Sequence, residues 1–80
     1  MSLARDWMIR IRHILEAIAR IQAYLDGLTS ESFAADFRTV DAVVRNLEII
    51  GEAASGVPIG FQERHINIPW KKMIEWRNSR

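Results

Sequence analysis

Trp7, Ile11, Ile14, Ile18, Ile21, Leu25 and Leu28 recur at alternating spacings of four and three residues. Only an α-helix places such a period on one face, so the stripe predicts a long first helix. Asp6, Arg10, His13, Glu16 and Arg20 lie on its polar side, where Asp6 to Arg10 and Glu16 to Arg20 are favourable pairs four residues apart. Gly27 suits the left-handed position that ends a helix. Thr29 or Ser30 can then cap the next, with Glu31 in its first turn. The three-and-four spacing resumes with Phe33, Phe37, Val40, Val43, Val44, Leu47, Ile50 and Ala54. This predicts a second long helix over residues 33–54, with a break near Asp36 into a short and a long piece. Gly51 inside it costs about 1 kcal/mol against alanine, a cost usually tolerated where another helix approaches closely.

Gly56, Pro58 and Gly60 interrupt the pattern, so residues 57–68 read as a loop or one short helical turn. Pro69 pre-sets the backbone of a first helical turn and pushes Ile68 extended, which starts a third helix there. At helical spacing Trp70, Met73, Trp76, Arg77 and Arg80 fall within about 60° of one direction. Two arginines would then share an apolar face with two tryptophans. The fold class is all-α: an antiparallel helical bundle of three main helices in a single domain over residues 1–80, its final helix cut off. A chain of 80 residues buries only about 60–65% of its unfolded surface, so a lone copy is marginal and oligomerisation is the expected remedy.

The formal charge of +1 hides an asymmetry. Residues 1–63 carry six arginines against nine acidic residues, about −3, whereas residues 64–80 carry five basic residues and one Glu, about +4. The basic end is where an anionic partner is suggested. With no Cys, disulfides, thiolate metal sites and cysteine nucleophiles are excluded. The longest apolar run is far below the roughly 20 residues a membrane helix needs, and a cytosolic chain is expected. His13 and His65 have no partner at metal-ligand spacing, so they read as solvated histidines and no metal or cofactor is expected. No glycine-rich phosphate loop and no Ser-His-Asp set is present. The tryptophans read as core or interface anchors rather than base-stacking platforms.

Asp41, Arg45, Glu48 and Glu52 fall on one face of the second long helix and leave two readings open. They form either a solvated face or a polar wall that meets the third helix's arginines across a cleft or a subunit interface. Arg77 and Arg80 are the chemically suggestive pair, because a guanidinium forks two hydrogen bonds onto phosphate and stays charged.

Several separated segments keep their order along the chain: Ile14-Leu15-Glu16-Ala17-Ile18, residues 33–36, Asp41 through Arg45 to Ile49-Ile50-Gly51-Glu52-Ala53, Ile68-Pro69-Trp70, and Trp76-Arg77-Asn78. Together they resemble the HepT-like branch of the HEPN superfamily. The resemblance implies a small helical bundle that dimerises and acts as a metal-independent ribonuclease, the cytosolic toxin of a type VII toxin–antitoxin pair. Its antitoxin partner would be a minimal nucleotidyltransferase that silences the toxin by attaching AMP to a tyrosine. The family's site is an arginine followed four to six residues later by histidine, often with that tyrosine two beyond.

Carried over residue by residue, Arg77 matches the motif arginine and Asn78 the polar residue after it, and Arg80 adds a third RNA-binding candidate. Only Asn78, Ser79 and Arg80 follow Arg77, so neither the motif histidine nor the tyrosine is present, and His65 and Tyr24 do not stand where the motif needs them. In an intact relative the histidine would shuttle a proton as a ribose 2′-hydroxyl attacks its phosphate, a role worth about 10²–10⁴-fold, while the arginine holds the phosphate. The expectation is a chain that keeps the clamp and does not cleave RNA. A missing fourth helix should also expose Trp70, Met73 and Trp76. The alternative is a non-enzymatic helical module that dimerises or binds RNA or a protein partner through its basic end.

Overall fold

The computed structural model describes residues 7–78. Helix α1 spans Met8–Leu25, and Gly27, at φ 77°, supplies the left-handed turn expected after it. Helix α2, Ser30–Ala35, is opened by a reciprocal cap. The Ser32 backbone N–H donates to Thr29 Oγ1 at 3.0 Å, and the Thr29 N–H donates to Ser32 Oγ at 2.9 Å. Helix α3, Phe37–Ser55, follows at once, and the expected break falls on Asp36. Asp36 takes an extended conformation and caps α3, accepting from the Thr39 hydroxyl at 2.7 Å and the Thr39 backbone N–H at 3.2 Å.

These donors fix a pH dependence. The Thr39 hydroxyl, then the backbone N–H groups of Thr39 and Arg38, hold the Asp36 carboxyl below its ordinary value of 3.8. A lowered folded value stabilises the fold above the unfolded value and loses that contribution as pH falls through the folded one. Urea titrations of Asp36→Asn and Asp36→Ala are expected to separate the two roles of this side chain. Asparagine keeps the cap while losing the dependence below about pH 4; alanine loses both.

Helices α1 and α3 run antiparallel. Arg20, late in α1, donates from Nε to Asn46 Oδ1 at 2.8 Å in mid-α3, while Arg10, early in α1, donates to the Glu52 carbonyl at 3.4 Å near the end of α3. Asn46 is buried, and its amide nitrogen donates to the Ala42 carbonyl at 2.8 Å, so both ends of its side chain are satisfied. The core is Ile14 and Ala17 of α1 with Ile50, Ala53, Ala54, Val57, Trp70 and Met73.

The long apolar stripe is only partly covered. Trp7, Ile11 and Ile21 pack against the core, but Ile18 is 38% exposed and Leu25 and Leu28 are also exposed, whereas Ala17, outside the stripe, is fully buried. The reason is local size. Ala17, Ala53 and Ala54 let the helices approach, which centres the contact one residue away from Ile18 and leaves that flank uncovered.

Residues 57–68 hold a short helix, α4, Ile59–Arg64. It is tied back by Gln62 Nε2 donating to the Val57 carbonyl at 2.9 Å and by Phe61, whose ring lies 4.9 Å from Trp7, 4.4 Å from His65 and 6.1 Å from Trp70. Helix α5, Trp70–Glu75, begins after Pro69 as expected and passes into a 3-10 turn, Trp76–Asn78. The expected exposure of Trp70 and Met73 is not found. Both are 7% exposed, because α5 lies against α3 and Trp70 slots against Phe61, and Trp76 is half-buried. Large exposed apolar side chains lie elsewhere, Phe37 and Ile66 foremost at 78% and 84%. Among the described residues no helix is long and apolar enough to cross a membrane.

Candidate functional site

A cleft of about 360 Å³ opens where α1, α3 and the closing 3-10 turn meet. Arg10 and His13 reach it from α1, Arg45, Glu48 and Glu52 from α3, and Arg77 from the turn, over a floor of Ile49 and Ala53. Helical periodicity explains the two walls. Arg10 and His13 are three residues apart on one α1 face, and Arg45, Glu48 and Glu52 are spaced three and four along one α3 face.

Arg77 is placed by the backbone rather than by its own side chain. A Cβ at Gly51 would lie 2.5 Å from the Arg77 nitrogen and 2.7 Å from the Met73 carbonyl oxygen. The close approach expected at Gly51 is therefore real, and the approaching element is the end of α5 with the turn that carries Arg77.

Three guanidiniums and two carboxylates give the cleft lining a net formal charge of +1. Arg10 lies over Gly56, its guanidinium carbon 2.8 Å from where a Cβ there would stand, and spends one long bond on the Glu52 carbonyl. A guanidinium has five N–H donors, so most of its donors remain for another acceptor. Such a set can hold an anion against the arginines while a carboxylate accepts from a neighbouring hydroxyl.

Of the residues read as site candidates, Arg77 is exposed and lines the cleft. Asn78 closes the 3-10 turn beside it, and Arg80 lies outside the described residues. Of the expected apolar-face set, Trp70 and Met73 are buried, Trp76 is half-buried, Arg77 is exposed and lines the cleft, and Arg80 lies outside the described residues. Trp70 and Met73 thus face the core while Arg77 faces the cleft.

The polar stripe on α3 forms a wall of this cleft through Arg45, Glu48 and Glu52, while Asp41 is exposed and stands outside its lining. His13, read as a solvated helix-surface residue, is exposed and also belongs to the lining. Its spacing of three from Arg10 puts the two on one face of α1, but that this face lines a cleft with α3 follows only from the tertiary fold. His65 stacks on Phe61 away from the cleft, and Tyr24 sits near the end of α1. Among the described residues no three His, Asp or Glu side chains converge as a metal site.

The family model described as Ribonuclease HepT-like matches residues 14–79. The chain is similar to a Thermococcus cleftensis protein named probable ribonuclease HepT, 40% identical over 86% of this chain and 63% of the relative. A Methanocaldococcus jannaschii protein named for gamma-glutamylcyclotransferase and, provisionally, RNase activity is 40% identical over 92% of this chain and 33% of its own length. A Caldanaerobacter subterraneus protein provisionally named an RNase is 37% identical over 86% of this chain and 62% of its own length. The chain thus spans between a third and just under two thirds of the length of these relatives. No solved structure matches significantly.

Proposed function

Since the chain belongs to the HepT-like ribonuclease family, we propose that it engages RNA through the cleft of Arg10, Arg45 and Arg77, with Arg77 holding a backbone phosphate. The observation that carries this reading is the convergence of three guanidiniums from three elements on one cleft, with the motif arginine among them. Asn78 and Arg80 are the further RNA-binding candidates of this reading. The proposal for these residues is RNA binding, in a protein that serves as the cytosolic toxin half of a toxin–antitoxin pair with a nucleotidyltransferase antitoxin.

Fluorescence anisotropy with a labelled single-stranded RNA oligomer tests this across a salt series. Affinity should fall steeply with salt, and Arg77→Ala should weaken it about three- to tenfold while lowering the log–log salt slope by about 0.7, the loss of one phosphate contact on a single strand. Salt-independent or absent binding would remove the reading.

A second proposal, that the chain is a homodimer, rests on the uncovered apolar side chains Leu15, Ile18, Phe37, Ile59 and Ile66. Light scattering should then give twice the mass of the 9.3 kDa chain. Ile18→Glu should shift it toward the monomer value if the uncovered flank of α1 is the contact. A monomer at high concentration would leave the domain as a single-copy module.

A further inference from the structure

Gly56 ends α3 at φ −92° and ψ 0°, a turn conformation that residues with a Cβ also adopt, so the backbone does not call for glycine here. The space above its Cα does. A Cβ there would lie 2.8 Å from both Cζ and Nε of Arg10 and 3.1 Å from its Nη1, closer than a carbon packs against such atoms. The same Nη1 donates to the Glu52 carbonyl at 3.4 Å, one turn earlier on α3. Glu52 is among the last four residues of that helix, whose carbonyls have no intrahelical partner and carry the negative end of the helix dipole. Arg10, half-buried, is thus held by a bare stretch of backbone and a helix-end carbonyl.

We propose that Gly56 is a positioning residue for the cleft: by lacking a Cβ it seats the Arg10 guanidinium before RNA arrives, and the seated Arg10 contacts a phosphate of the bound strand. The inference rests on the proposed use of this cleft for RNA and adds to it what orders one of its three arginines.

A free arginine side chain samples many rotamers and gives them up on meeting a phosphate. One that is already ordered loses less, so more of the contact appears as affinity. The seat also leaves donors over. Nε, Cζ and Nη1 are the atoms nearest residue 56, Nη2 lies further from it, and among the described residues one of the five N–H groups is engaged, at a long distance. An alanine at 56 would meet the movable end of a side chain rather than backbone, so Arg10 gives way and the fold does not. That separates Gly56 from Gly51, where the atoms in the way are backbone.

Anisotropy with a labelled single-stranded RNA oligomer at constant low salt is run on the unaltered chain, Arg10→Ala, Gly56→Ala, the double variant and Gly60→Ala, beside urea denaturation of each. Arg10→Ala should weaken binding about three- to tenfold and Gly56→Ala about two- to fivefold. The double variant should bind no more weakly than Arg10→Ala alone, since the glycine acts only through that arginine. Gly56→Ala should keep the parent's urea midpoint or raise it slightly, as replacing glycine by alanine does at a compatible backbone. Gly60→Ala, with nothing within 4 Å of its added Cβ, should bind as the parent does. NMR of the Arg10 Nε–H reads the seat without RNA: ordered in the parent, mobile in Gly56→Ala.

An arginine that only caps α3 predicts a different pattern, a lower midpoint for Gly56→Ala with RNA affinity intact. Parent-like affinity in Gly56→Ala, a lower midpoint, or a double variant weaker than Arg10→Ala overturns the inference while RNA binding by the cleft stands. If the unaltered chain binds no RNA, the use of the cleft for RNA and the phosphate contact of Arg10 fail together. An Nε–H equally mobile in the parent and in Gly56→Ala overturns the seating by itself.

Discussion

Trp70→Ala is expected to cost about 3–5 kcal/mol of unfolding free energy, the range for truncating a buried aromatic side chain. For a chain of 80 residues with a total stability of roughly 4–12 kcal/mol, that is a large share. Trp70 carries this weight because it closes the aromatic cluster that joins the late elements to the start of α1. Its ring is 7% exposed and meets Phe61 edge-on at 6.1 Å, and Phe61 in turn lies 4.9 Å from Trp7. The indole Nε1–H donates to the His65 carbonyl at 3.0 Å, which fixes the chain just before α5.

Trp70→Phe separates packing from the hydrogen bond. It keeps most of the apolar surface and loses the donor, for an expected cost of about 1–2 kcal/mol. Urea denaturation followed by circular dichroism should therefore rank the parent above phenylalanine and phenylalanine above alanine. A cost for alanine no greater than that for phenylalanine would mean that the ring's packing contributes little and that the hydrogen bond alone matters.

What could be read from the sequence was chemistry that acts within a few residues. Gly27 and Thr29 mark a helix end and a helix start by their own backbone preferences and side-chain oxygens, and both act as expected. Asp36 breaks the helical run for the same reason: a short carboxylate that bonds the backbone three residues on competes with the helix interior and favours its first position. Gly51 could be read as a contact point because its helix-propensity cost needs a tertiary explanation.

Features that depend on a distant partner were hidden. The apolar stripe of α1 does not say that Ala17 rather than Ile18 faces α3, since the choice follows from small residues on the other helix. Burial of Trp70 and Met73 follows from how α5 sits on α3, which no local pattern encodes. Helix α4 was read only as a loop or one short helical turn because of Pro58 and Gly60; Pro58 occupies its cap, Gln62 ties it back to Val57, and Phe61 packs on the distant Trp7. The candidate site divides along the same line. Arg45, Glu48, Glu52 and Arg77 were visible through spacing and family resemblance. His13 was not, because its place beside them is set by the antiparallel pairing of α1 with α3.

Gly51→Ala connects stability to the candidate site. In an isolated helix this change gains about 1 kcal/mol, so local propensity predicts stabilisation. The surroundings predict the reverse, since the new Cβ would stand 2.5 Å from the Arg77 nitrogen and 2.7 Å from the Met73 carbonyl oxygen. Both are backbone atoms, which cannot swing aside as a side-chain end can, so α5 and the closing turn must move away from α3. Overpacking of this kind costs about 1–3 kcal/mol or more, enough to outweigh the propensity gain. Gly60→Ala is the matched comparison: Gly60 also lies in a helix, has nothing within 4 Å of an added Cβ, and should be neutral or slightly stabilising. The displacement at residue 51 moves Arg77 directly, so RNA affinity measured where the variant is still fully folded should fall by about as much as for Arg77→Ala. Were Gly51→Ala as stable as the parent, the contact between α3 and the closing turn would be looser than the structure has it. If it were destabilised but bound RNA normally, Arg77 would reach its ligand without the support of that contact, and the placement of the cleft's third arginine would rest on other residues.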